Sequence, residues 1–256
     1  MRIGIITGAS SGLGMAYARH IDKLMDLDEL WLIARREDRL QALSAQLGCR
    51  CRVLPMDLTR RQSAVDLQAL LEKERPRVEV LICAAGLGKF TLTEHMTLAE
   101  NHATIALNCR AAVDVTRVCL PFLGRGSRVL EICSSAAFQP LPGANLYAAS
   151  KAFLLRYTRG LRWELADRGI KVTAVCPGWI RTPFLDVAQD TARPVPLGWM
   201  TKLAQRPESV AAWSMTMNGL NKAVVTCSPI SAVQRVGTKL LPSSLIMALW
   251  EAQRRF

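Results

Sequence analysis

The sequence lacks most of the features that announce a metal site, a membrane span or a secreted disulfide framework. Histidine occurs three times in 256 residues, and none of the eight cysteines forms a C-x-x-C pair, so no metal-ligand spacing is present. Several cysteines sit in apolar runs such as Ile82-Cys83-Ala84 and Val175-Cys176-Pro177, where the thiol acts as a small hydrophobe. Reduced, mostly buried thiols are expected. No apolar run approaches the roughly 18 residues of a membrane-spanning helix. Gly4, Thr7 and Gly8 interrupt the opening apolar run, which excludes a secretory signal there and makes a cytoplasmic protein the expectation. Linkers, internal repeats and low-complexity blocks are missing too, so the expectation is one domain over 1–256.

What is there is an apolar half (50%) and a charged fifth (21%), the balance of an ordinary globular protein. Thirty-three basic residues against 21 acidic ones leave a net charge of +12. The excess is spread as pairs (Arg35-Arg36, Arg60-Arg61, Arg254-Arg255), without a long run or interleaved aromatics. That distribution argues against a nucleic-acid partner and for a solvated surface, with a polyanion-binding face as the alternative.

Short apolar runs alternate with helix-length segments from end to end. Strands are expected over 3–7, 30–34, 52–56, 80–84, 128–133, 171–176 and 223–227. Helices are expected over 13–24, 37–47, 63–73, 101–123, 146–168 and 208–219. Most strand runs are continuous Val/Ile/Leu/Cys without polar alternation, which is what a strand covered on both faces looks like. The alternation therefore predicts an α/β chain with one doubly wound parallel sheet of about seven strands, flanked by helices. The proline-rich stretch 178–206 reads as a substrate loop, and 240–256 as a basic amphipathic helix opened by Pro242. That helix packs on the body or a partner subunit, or else touches a membrane surface.

The first strand runs into Thr7-Gly8-Ala9-Ser10-Ser11-Gly12-Leu13-Gly14, followed by a helix pattern. Gly8 permits a tight turn, Gly12 lets backbone approach a pyrophosphate, and Gly14 allows close helix–sheet packing. A helix N-terminus there offers free N–H groups and its positive dipole end to phosphates. Gly8, Ser10, Ser11, Gly12, Leu13 and Gly14 are thus the expected phosphate cradle of a dinucleotide. The second strand ends in Arg35-Arg36 rather than in an acidic residue. Two guanidinium groups suit the 2′-phosphate of NADP(H), so NADP(H) is the expected cofactor.

Tyr147 and Lys151 are four residues apart at the start of a long helix and share one face of it. A nearby ammonium favours phenolate, and an oxidised nicotinamide adds to that effect. Thirteen residues before the tyrosine, at a strand end, stand Ser134 and Ser135; either hydroxyl can hydrogen-bond a substrate carbonyl.

With these residues the chain resembles the short-chain dehydrogenase/reductase family, in its short single-domain branch. The resemblance rests on TGASSGLG at 7–14, CAAG at 83–86, Asn108 in NCRAAVDVTRVCLP, ICSSAAFQPLPGANLYAASK at 132–151 and CPGWIRTP at 176–183. It covers residues 1 to about 183 and implies a Rossmann-type sheet. It implies Tyr147 as general acid/base, and Lys151 as the residue lowering its pKa and holding the nicotinamide ribose. Ser134, at the family's interval before the tyrosine, is preferred to Ser135 for orienting the carbonyl. Asn108 resembles the residue whose helix kink holds a water linking Lys151 to solvent. Asp57 and Leu58 resemble the adenine edge, Ala84, Ala85 and Gly86 a close backbone approach to the cofactor, and Pro177, Gly178, Ile180 and Thr182 the nicotinamide side. The family usually reads Asn-Asn where this chain has Cys83-Ala84, so a structural hydrogen bond near the central strands is in question.

Leu87, Phe138, Leu141, Trp179 and Phe184, with Phe90, Leu185, Trp199 and Met200, are expected to face a small hydrophobic ketone, aldehyde or oxo-acyl substrate. The expected activity is hydride transfer between NADPH and that carbonyl, as in a carbonyl reductase, in a homodimer or homotetramer. The rival readings are a non-catalytic NADP(H)-binding regulator and a nucleotide-dependent epimerase or dehydratase.

Overall fold

The structure, a computed structural model, describes residues 1–255. Seven parallel strands form one sheet: β1 (Arg2–Thr7), β2 (Glu29–Ala34), β3 (Cys51–Pro55), β4 (Arg77–Cys83), β5 (Leu123–Ile132), β6 (Lys171–Cys176) and β7 (Val224–Thr226). Their order is β3-β2-β1-β4-β5-β6-β7. The chain builds outward from β1 to β3, returns, and builds the other way from β4, so β1 and β4 meet at the point where direction switches. In such sheets the ligand crevice lies beyond the carboxyl ends of those two strands.

Helices cover both faces. On one side α1 (Gly12–Leu24), α2 (Glu37–Ser44) and α8 (Pro207–Gly219) bury Tyr17, Leu40 and Ala211 against Ile6, Leu30 and Ile82. On the other, α3 (Arg61–Glu74), α5 (Ala112–Cys119) and α6 (Asn145–Glu164) bury Leu67, Val115 and Leu161 against Ile5, Leu81 and Val129. Strand residues pointing either way are therefore buried, which accounts for the unbroken apolar runs.

Three expected elements come out differently. The helix expected over 101–123 is divided into α4 (Leu98–Ile105), a π-helical turn at Ala106–Ala111, and α5. Asn108 causes the break. Its Oδ1 accepts from the Leu87 N–H at 2.8 Å, and its Nδ2 donates to the Leu87 carbonyl at 2.7 Å and to Ser150 Oγ at 2.9 Å. The stretch 178–206 is not a bare loop but contains α7 (Phe184–Gln189) and a 3-10 turn at Trp199–Leu203. The tail helix expected over 240–256 starts slightly later, as α10 (Ser243–Arg255), and is preceded by a helix the sequence did not announce, α9 (Pro229–Leu240); Leu241-Pro242 separates the two because proline cannot continue the first helix. Ser228, whose Oγ accepts from the Ser231 N–H, and Pro229 at the first helical position are ordinary start signals for α9. Phe256 lies outside the described residues.

Candidate active site

The turn after β1 holds Gly8 at φ +69° and Gly12 at φ +54°, conformations that favour glycine. Gly14 is required for a different reason: a Cβ there would lie 2.3 Å from the Gly8 carbonyl oxygen. α1 can start against the turn only because that atom is missing. Thr7 Oγ1 accepts from the Ala85 N–H at 3.1 Å and joins the ends of β1 and β4 across the crevice. From the end of β2, Arg36 reaches over the turn and donates to Ser10 Oγ (2.9 Å) and Ser11 Oγ (2.8 Å). Partial burial, then the like charges of Arg39 and Arg35, depress its pKa. A guanidinium parked on two serine hydroxyls, with like charges beside it, gains from an anion. Asp57 lines the same crevice. Burial raises its pKa, but the hydrogen bonds from Thr59 and the nearby Arg35 and Arg60 outweigh that and hold it low.

At the other end of the crevice α6 carries Tyr147 and Lys151, which share a face as their spacing requires. The Lys151 ammonium is 5.9 Å from the centre of the Tyr147 ring and donates to the Ile132 carbonyl at 2.7 Å. Both side chains are in the cleft wall. Burial lowers the pKa of Lys151 and pushes the Tyr147 phenol up to about 12; a hydrogen bond with Ser134 acts against that rise, and Cys133 and Cys176 add to it. The phenol thus stands above the free-tyrosine value, not below it as the sequence suggested, because desolvation outweighs the Ser134 hydrogen bond in this arrangement. Ser134, whose Oγ also accepts from the Ala136 N–H at 3.1 Å, is the serine bonded to Tyr147. Ser135 lines the cleft as well. Asn108 sits behind the pair, tied to α6 through Ser150, whose hydroxyl donates to the Tyr147 carbonyl at 2.7 Å. A Cβ on Gly86 would lie 3.3 Å from Lys151 Nζ and 3.4 Å from Asn108 Oδ1, so a side chain there would crowd the lysine.

The turn and the tyrosine are parts of one cleft of about 750 Å³. Leu58, Ala84, Ala85, Pro177, Gly178, Ile180 and Thr182 line it, as do Leu87, Phe90, Leu141, Trp179, Phe184, Leu185 and Met200. Phe138 does not. It packs against the buried cluster of Cys133, Leu154 and Cys176, because the 3-10 turn at Ser135–Phe138 directs it away from the cleft, and this corrects its place among the expected substrate contacts. Trp199 is half-exposed and also outside the lining. The far wall is one that sequence reasoning missed: Ile230 and Val233 of α9, Leu241, and Ile246, Leu249 and Trp250 of α10. Trp250 Nε1 donates to the Pro142 carbonyl at 2.9 Å and fixes α10 across the opening. The apolar repeat of Ile230, Val233, Val236 and Leu240 was its available signal. Among the described residues no group of three or more His, Cys, Asp or Glu is placed to hold a metal ion.

A sequence profile described as short chain dehydrogenase matches residues 2–193. The chain belongs to the short-chain dehydrogenase family. Sulfoacetaldehyde reductase 2 of Chromohalobacter salexigens is 36% identical over 191 residues, 71% of this chain and 74% of that one. Serine 3-dehydrogenase of Rhizobium radiobacter is 34% identical over 185 residues, 70% of this chain and 72% of that one. Among solved structures, a short-chain dehydrogenase from Sphingobium yanoikuyae in complex with NADPH shares 25% identity, with a TM-score of 0.79 over 96% of this chain and 95% of that one.

Cys83, at the end of β4, belongs to a buried polar cluster behind the site. Glu131, inside β5 and fully buried, accepts from Thr116 Oγ1 at 2.6 Å, and the Cys83 thiol lies 3.7 Å from the same hydroxyl. Burial pushes the Glu131 carboxyl up to about 7, with Thr116, Cys83 and Lys151 acting against it.

Proposed function

We propose that this short-chain dehydrogenase is a cytoplasmic NADP(H)-dependent oxidoreductase that transfers a hydride between NADPH and the carbonyl of a small, hydrophobic ketone, aldehyde or oxo-acyl substrate. The observation that carries the reading is Tyr147, hydrogen-bonded to Ser134 and one helical turn from Lys151, in the cleft that begins at the glycine-rich turn. The residues present fit a dinucleotide. Gly14 permits the turn-to-helix start, Gly86 keeps space clear beside Lys151, and the Arg36–Ser10–Ser11 cluster suits a 2′-phosphate. Asp57 and Leu58 would hold the adenine edge, and Pro177, Gly178, Ile180 and Thr182 the nicotinamide side. The NADPH in the Sphingobium structure supports the same choice of cofactor.

When bound, the dinucleotide supplies or accepts the hydride. Ser134 and Tyr147 polarise the carbonyl oxygen, and Tyr147, protonated at neutral pH, gives it a proton. Lys151 would hold the ribose and favour phenolate when the reaction runs toward oxidation. The π-helical turn around Asn108 opens the backbone for a water that returns protons to Lys151 from solvent. Leu87, Leu141, Trp179 and Phe184 form the apolar seat. Exposed Leu98, Ile105, Phe153 and Trp163, on α4, at its end and on α6, support a homodimer or homotetramer.

The test is NADPH consumption across a panel of apolar aldehydes, ketones and oxo-thioesters, with Ser134→Ala and Ser135→Ala compared on the best substrate. Turnover that falls steeply in Ser134→Ala and little in Ser135→Ala is expected. A silent panel despite tight NADPH binding would favour a non-catalytic binder, and the reverse serine result would reassign the carbonyl contact.

A further inference from the structure

The two C-terminal helices wall the cleft with one side and leave apolar residues in solvent on the other. α9 exposes Val233 (72%), Val236 and Leu240 (77%), at positions three, four and seven apart that share one helix face. α10 exposes Leu245 and Leu249 (57%), again four apart. Val233, Leu241 and Leu249 both line the cleft and stand exposed, so they mark its mouth. The 3-10 turn packed on α10 adds exposed Trp199 and Leu203. A contiguous apolar rim around an opening calls for a partner.

Charge selects it. Residues 191–256 contain eight basic and two acidic residues, +6 of the chain's +12. Glu251, one of the two acids, already meets Arg254 at 2.6 Å. Lys202 and Lys239 stand exposed beside the apolar rim. A second copy would bring a like-charged patch against this one, and self-association has its own apolar face on α4 and α6. An apolar strip with a cationic border, tryptophan included, fits the interface of an anionic bilayer.

We propose that α9 and α10 seat the mouth of the cleft on an anionic lipid surface, so that apolar substrate enters from the membrane. The docking stands on these surface residues; the entry of substrate rests on the carbonyl-reducing reading above.

The experiment is co-flotation of the full chain with vesicles of phosphatidylcholine alone, and of phosphatidylcholine mixed with phosphatidylglycerol. Binding to the mixed vesicles only, reversed by added salt, is expected. The triple variant Val236→Ser/Leu240→Ser/Leu245→Ser, none of whose positions lines the cleft, should lower partitioning about tenfold or more. Lys202→Glu/Lys239→Glu should lower it several-fold with the fold intact by circular dichroism. Wild-type protein that ignores anionic vesicles, or a triple variant that binds as well as wild type, overturns the proposal. A dimer by light scattering that the triple variant abolishes would assign the face to a second copy instead. Vesicle binding is read without turnover, so a chain that floats but reduces no carbonyl fails only the catalytic reading.

Discussion

Residues 2–193 and residues 194–256 face the same cleft but are built differently. The first region wraps a sheet buried on both faces and joins its polar groups into networks: Thr7 with Ala85, Asn108 with Leu87 and Ser150, Arg36 with Ser10 and Ser11. The second contributes α8 and β7 to that body, then ends in two helices that bury one side and expose leucine and valine on the other. The family profile ends at residue 193, before these helices begin. On the proposed function, the difference separates two tasks. Cofactor binding and proton transfer need atoms held to within tenths of an ångström, which networks provide. Choosing an apolar substrate needs only a wall of the right shape, and that wall varies without disturbing the chemistry.

Perturbations in the first region should cost most. Gly14→Ala forces a Cβ onto the Gly8 carbonyl and should cost about 2–4 kcal/mol in denaturant unfolding, together with nucleotide affinity. A wild-type midpoint and affinity would contradict the packing argument. Glu131→Gln isolates the buried cluster. A folded-state pKa near 7, above the usual 4.5, means that stability is fully present below about 4.5 and is lost as pH rises through 7. The glutamine variant should therefore gain on the order of 2–3 kcal/mol over wild type at pH ~8 and nothing at pH ~4.5. A gain that does not change with pH would sink that reading. Arg36→Ala should weaken NADPH about 10–100-fold and NADH little, by isothermal titration, since charge-assisted bonds to a 2′-phosphate are what it removes. Equal losses for both nucleotides would move the phosphate contact elsewhere. In the second region, Val236→Ser/Leu240→Ser/Leu245→Ser should lower the unfolding free energy by about 0.5 kcal/mol or less per site, because the side chains are already largely exposed. A large loss would show that they support the fold rather than an outer surface.

The sheet was legible in the sequence because most of the seven apolar runs had to be buried on both faces, and their number and parallel pairing followed. The catalytic spacing was legible too, since 147 and 151 share a helix face whatever surrounds them. What escaped depended on tertiary partners. Apolar periodicity runs through 101–123 without registering the π turn, which is set by the Leu87 backbone bonding to Asn108; only the family resemblance put a kink at that residue. Phe138 faces away because a short 3-10 turn reorients it, and nothing in its neighbours' composition announces that. Arg35 and Arg36 read alike, yet Arg36 is the one on the serines. The Tyr147 pKa depends on burial, which spacing does not report.

Tyr147→Phe tests the central claim most directly, because it removes one oxygen and little else. Turnover of the best carbonyl should fall by about 10²–10⁴-fold while NADPH affinity and the unfolding midpoint stay near wild type. A phenylalanine variant that reduces the same carbonyl at the wild-type rate would contradict the account.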